Sequence, residues 1–183
     1  MYILLVFLVK IKKLLRKYCP ILLFLFFIFL NCTKKNGHVN DLNSSKDSLP
    51  VYLSLANDDN LNYEFRQNYA QKAFSIVSNQ NNDSISRVNL FKIANRYYNM
   101  NDLKSYRKVS ELVLNKSISA NDFVSIAKAY TYLGDYYSLK TISDSAYRNY
   151  YKAQKIYLQI DDKLNLAKTL LSKGSLQYNE SDF

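Results

Sequence analysis

From about residue 63 onward, apolar and polar positions recur with the period of a helix rather than that of a strand. Ile126, Tyr130, Leu133 and Tyr137 follow one another at steps of three and four, as do Ala146, Tyr150, Ala153 and Tyr157. That spacing gathers each set on one helical face. The strip "KTISD" between the two runs reads as a short connection, with Ser143 or Asp144 placed to cap the second helix. An equivalent pair is read upstream in "NLFKIANRYY" and "DLKSYRKVSELVL". Before it, "YEFRQNYAQKAFSIV" reads as a second helix, with a short helix near Pro50 to Ala56 as its partner. "KLNLAKTLLSKGSLQY" reads as one more first helix. The chain has three glycines and two prolines, with no proline after Pro50, so little interrupts these helices.

A shift of 40 residues brings the pattern onto itself. Asp122 falls on Asp162, Ala127-Lys128 on Ala167-Lys168, and Gly134 on Gly174; one step back, Ala94 precedes Gly134 and Tyr97 precedes Tyr137. The second helices match if one residue of slip is allowed, so that Tyr106-Arg107 meets Tyr147-Arg148 and Ser105 meets Ala146.

Tyr130-x₂-Leu133-Gly134-x₂-Tyr137, followed by Ala146-x₃-Tyr150 and the small Ala153, resembles the tetratricopeptide repeat (TPR) pattern. The period is 40 rather than about 34, Tyr stands at the Trp-type position, and the closing Pro is absent. The resemblance implies an all-α, right-handed superhelical array of antiparallel helix pairs. Its units would be residues 50–80, 83–115 and 121–159, with 163–183 incomplete. It also answers why Gly134 stands inside a helix, where glycine costs about 1 kcal/mol relative to alanine. Ala94, Gly134 and Gly174 would be the points of closest approach between helices. Tyr97, Tyr130, Tyr137 and Tyr150 are expected to fill the space between helices with their hydroxyls at its wet edge. The first helices of a TPR array line a concave surface. Asn95, Asn99, Lys128, Thr131, Asp135 and Lys168 would face it, a polar strip suited to an extended peptide or a partner helix.

Charge redirects attention to the N-terminus. Lys10, Lys12, Lys13, Arg16, Lys17, Lys34 and Lys35 supply most of the net charge of +10, leaving 18 basic and 15 acidic residues after them. The basic balance is therefore a property of the leader and not a nucleic-acid footprint. The leader sets an apolar segment, Met1 to Val9, before a basic cluster, and then an apolar run of 11 residues from Pro20 to Leu30. That run is too short for an ordinary spanning helix of about 20 residues and has the form of a secretory signal. Its end, "FLNCTKK", resembles a bacterial lipoprotein signal in which Cys32 is lipidated, although Asn31 replaces the usual small residue. Residues 1–31 are thus expected to form a signal or hydrophobic anchor helix, and 32–49 a polar tether. The remainder would be held in the cell envelope, facing the periplasm.

Chemistry is sparse. Both cysteines, Cys19 and Cys32, lie in the leader, and the single histidine, His38, stands in the tether. No metal-ligand spacing, phosphate loop or nucleophile motif occurs. The pairs Asp58-Asp59 and Asp161-Asp162 fall at helix boundaries, where capping accounts for them. The expectation is a membrane-tethered interaction module without cofactor, metal or catalysis, whose partner is a protein or peptide. The alternative is the truncated extracytoplasmic sensor region of a two-component histidine kinase or transcriptional regulator, by resemblance to such regions in Bacteroidetes. The last helix would leave Leu166, Leu170 and Leu171 exposed, which favours an array that continues.

Overall fold

The computed structural model of the protein describes residues 48–181; the signal segment, Cys32 and most of the expected tether lie outside them. Among the described residues there are seven helices and no strand. They are α1 (Leu49–Leu55), α2 (Tyr63–Ser78), α3 (Ser84–Asn99), α4 (Leu103–Ser119), α5 (Phe123–Leu139), α6 (Ser143–Gln159) and α7 (Lys163–Ser181). Each packs against the next in chain order, and α1 also touches α3. The first helix begins one residue before Pro50, and Ser48 and Leu49, assigned to the tether, are buried.

The recurrence is finer than a unit of two helices. Helices α4 to α7 begin at Leu103, Phe123, Ser143 and Lys163, twenty residues apart. The link before each is built alike. Asn101, Asn121, Thr141 and Asp161 take the left-handed conformation, with φ of 57°, 52°, 55° and 55°. Asn and Asp tolerate that region; β-branched Thr141 bears more strain. The next N–H then closes each link: Asp102 N to Tyr97 O, Asp122 N to Ser117 O, Ile142 N to Tyr137 O and Asp162 N to Tyr157 O, at 2.9, 3.0, 2.9 and 3.0 Å. This bond satisfies a carbonyl that the helix end would otherwise leave unpaired.

Capping follows the same interval. Asn62, Asp83, Asp102, Asp122 and Asp162 each accept a hydrogen bond from the backbone N–H three residues on. Helix α6 departs from this. Its N-cap is Ile142, with no side-chain bond, and the expected caps Ser143 and Asp144 lie one and two residues inside the helix. Two caps also brace the stack. Gln67 Nε2 donates to Asp102 Oδ2 at 3.2 Å, and Arg87 Nε donates to Asp122 Oδ2 at 2.9 Å. Both pairs span 35 residues. By the same spacing Arg107 corresponds to Ile142, which offers no carboxylate; Arg107 bonds Glu111 instead, at 2.7 Å.

One apolar cluster runs from Leu49 through Leu90, Ile93 and Val113 to Ala129, joining α1 to α5; smaller clusters tie α5, α6 and α7. Full burial of a side chain such as Leu90 or Ile93 contributes about 1.5–3 kcal/mol. The second helices need no slip. Tyr106, Ser110, Val113 and Ser117 of α4 are buried, and so, forty residues on, are Ala146, Tyr150, Ala153 and Tyr157 of α6. Tyr147, the expected match of Tyr106, is 40% exposed. The slip came from matching residue identity. What recurs is position, with large and small side chains exchanged: Tyr106 for Ala146, Ser110 for Tyr150.

Candidate interaction surfaces

Gly134 lies where α5 and α6 cross. A Cβ there would meet the Tyr150 ring at 2.5 Å, well inside van der Waals contact. The ring cannot simply turn aside, because its hydroxyl donates to Asp135 Oδ1 at 2.8 Å. Forty residues earlier the facing positions are Ala94 and Ser110, both fully buried. A smaller partner on α4 thus accompanies a larger residue on α3. Gly174 does not follow. A Cβ there would meet nothing within 4 Å, because no helix among the described residues packs on that side of α7.

Asp135 is the polar centre of this crossing. Burial pushes its carboxyl above the usual carboxylate range, and bonds from the Tyr150 and Tyr106 hydroxyls offset part of that rise. Burial raises both tyrosines in turn, with the Asp135 charge adding to it. Tyr132, beside Asn95, is pushed up to about 12, mainly by burial. Of the four tyrosines assigned to the space between helices, Tyr97 and Tyr150 are buried and Tyr130 and Tyr137 half-buried. The Tyr150 hydroxyl is engaged by Asp135 rather than set at a wet edge.

Helices α1, α3 and α5 lie side by side. Arg96 Nε donates to Leu53 O at 3.0 Å and its Nη1 to Asn57 Oδ1 at 2.7 Å. Between α3 and α5, the Phe91 and Tyr132 rings meet edge to face at 5.2 Å. The six residues expected on a binding surface fall along these seams. Asn95 stands beside Tyr132, and Asn99 Nδ2 donates to Asn57 Oδ1 at 3.3 Å. Lys128 Nζ lies 4.6 Å above the Phe91 ring, and its loss of hydration lowers its pKa. The Thr131 hydroxyl donates to Ala127 O at 3.2 Å. Asp135 serves Tyr150, and Lys168 is exposed on α7 near Asp162. The structure thus gathers Asn95, Lys128 and Asp135 around Tyr132 and leaves Asn99 and Lys168 at opposite ends. Tyr132 and Phe91 were missed because neither belongs to the stripe of Ile126, Tyr130, Leu133 and Tyr137. Their signal was a second apolar stripe, facing the preceding pair.

An open apolar surface lies on α7. A groove of about 710 Å³ is lined by Ala167, Leu170, Leu171, Gly174, Ser175 and Tyr178. Leu171 is 73% exposed, whereas Leu166, expected to be open, packs against the cluster of Ala127, Ala153 and Tyr157. No group of three or more His, Cys, Asp or Glu among the described residues is placed to hold a metal ion. No helix among them is long and apolar enough to cross a membrane. No protein-family model matches the chain, and no curated protein is significantly similar to it.

Proposed function

We propose that this protein is a non-catalytic interaction module built from TPR-like helix pairs, held to a membrane through its leader and lipidated Cys32, with the helical part in the periplasm. The observation that carries this reading is the twenty-residue recurrence of helix, left-handed link and cap, with α1, α3 and α5 laid side by side. An architecture of repeated nearest-neighbour contacts offers extended surfaces for a protein or peptide and needs no buried reaction centre. Asn95, Lys128 and Lys168 supply polar, exposed groups along one such surface.

Two measurements test the two halves of the reading. A fatty-acid label fed to cells should enter the wild-type chain and be lost from Cys32→Ala; equal labelling removes the lipid anchor. A photo-crosslinking side chain placed singly at Asn95, Lys128 and Lys168 of the full chain should join it to a discrete partner in its own cells. Absence of any adduct from all three positions overturns the interaction role on this surface.

A further inference from the structure

Tyr106 of α4 and Tyr150 of α6 both bring their hydroxyls to Asp135 of α5. The two helices therefore lie on one side of α5, and the faces opposite these tyrosines point away from the layer of α1, α3 and α5. On those outward faces stand Lys104 and Lys108 of α4 and Arg148, Lys152 and Lys155 of α6, all exposed. Each helix has one carboxylate, Glu111 and Asp144, and Arg107 holds the first at 2.7 Å. The carboxylates that cap α3, α4, α5 and α7 stand at the helix ends instead. Among the cations of α6, Tyr147 and Tyr151 are 40% and 46% exposed, with Lys155 Nζ 5.8 Å above the second ring. This face does not depend on what adjoins α7. Helix α4 is followed by a further pair, and Lys108 and Asn115, forty residues before Arg148 and Lys155, are exposed all the same.

We infer that this outward face lies against the anionic lipid headgroups of the membrane that holds the leader. It rests on the tethered-module reading and adds the orientation of the array. The chain between Cys32 and the buried Ser48 spans at most about 50 Å, so a lipidated Cys32 keeps the array close to that surface. The Debye length at physiological salt is about 8 Å, so only cations near contact feel the lipid charge, and a face that gathers them gains most. Exposed tyrosines suit the same place, because their rings favour the boundary between headgroup and acyl chain. A nucleic acid or an acidic protein would meet the same charge, but the membrane is the polyanion that the leader keeps within reach. The opposite layer, with Asn95 and Lys128, is then turned toward a partner.

The chain contains no tryptophan, so one placed on its surface reports its own surroundings. The full chain is reconstituted through its leader into vesicles of phosphatidylcholine, or of equal parts phosphatidylcholine and phosphatidylglycerol, each with a nitroxide-headgroup lipid as quencher. Tyr151→Trp reports on the outward face. Val88→Trp, two turns before Asn95 and 50% exposed, reports on the opposite layer. The Tyr151→Trp protein should be quenched about threefold more strongly on the anionic vesicles, and the Val88→Trp protein alike on both. Adding Arg148→Glu and Lys155→Glu, or salt that shortens the Debye length to about 3 Å, should return the first to its neutral-vesicle value. Both of those side chains are exposed, so the melting curve should not move. Equal quenching of Tyr151→Trp on the two vesicles, an equal response from Val88→Trp, or a response that charge reversal leaves intact overturns the inference. So does relief of the quenching by RNA or polyglutamate, since the face then prefers a soluble polyanion. Should crosslinks form at Asn95 or Lys128 while lipid charge has no effect, the interaction-module reading stands and this assignment alone falls.

Discussion

Helices α5 and α7 carry the same landmarks in the same register: an Asp cap, an Ala-Lys pair and a glycine twelve residues after the cap. Around Gly134 these features make a crossing in which a Cβ would lie 2.5 Å from the Tyr150 ring; around Gly174 they make an open groove. The difference lies in the neighbour. Glycine permits a close approach, but only a ring on the facing helix uses it. The same contrast holds one residue on, where Asp135 is half-buried beneath two tyrosine hydroxyls and its counterpart Ser175 is exposed.

The largest test removes the cover from α5. Tyr150→Ala leaves a cavity and takes from Asp135 one of its two tyrosine hydroxyls, and should cost about 3–5 kcal/mol in denaturant unfolding, in the range of large aromatic truncations. A loss below about 1 kcal/mol would mean that the crossing contributes little to the fold. Next comes an identical substitution at the two glycines. Gly134→Ala should destabilise by about 1–3 kcal/mol, because the ring is held by its bond to Asp135 and cannot yield freely. Gly174→Ala should stabilise by up to about 1 kcal/mol through helix propensity alone. Equal signs at the two sites would end the comparison. The cover can also be tightened. Ile142→Asp supplies the cap that α6 lacks and sets a carboxylate where Arg107 matches Gln67 and Arg87. A gain of about 1 kcal/mol in unfolding free energy is expected from the cap, and Arg107→Ala should reduce it if the brace forms.

The smallest effect is a pH dependence. The Asp135 carboxyl titrates above its unfolded value, so the folded state binds more protons from about pH 4 upward. Its contribution to stability therefore falls as pH rises through that window. Asp135→Asn keeps an acceptor for Tyr150 and removes the titration. Melting temperatures of variant and wild type should coincide near pH 4 and diverge in favour of the variant toward neutrality. A difference independent of pH would show that Asp135 ionises as freely in the fold as in the unfolded chain.

Much of this arrangement was legible before any coordinates. Helical spacing is local, so the stripes of Ile126, Leu133, Ala146 and Tyr150 located α5 and α6, and the pair Asp161-Asp162 marked a helix boundary. The twenty-residue interval was harder to see, because it is carried by backbone conformation at Asn101, Asn121, Thr141 and Asp161, and three residue types serve there. The one-residue slip had a similar origin. Tyr106 and Tyr147 agree in identity, whereas Tyr106 and Ala146 agree in burial, and packing conserves summed volume more closely than it conserves residue type. Asn95, Asn99, Lys128 and Asp135 are polar in any reading of the chain, yet each acquires a neighbour from outside its own helix.

By itself, then, the sequence determined the helices, their order and the glycine that one crossing requires, because period and propensity act over a few residues. Only the tertiary structure decided which of two like glycines is filled and which polar groups are spent on neighbouring helices. Those outcomes depend on side chains forty residues apart in the chain that meet only once the helices have packed.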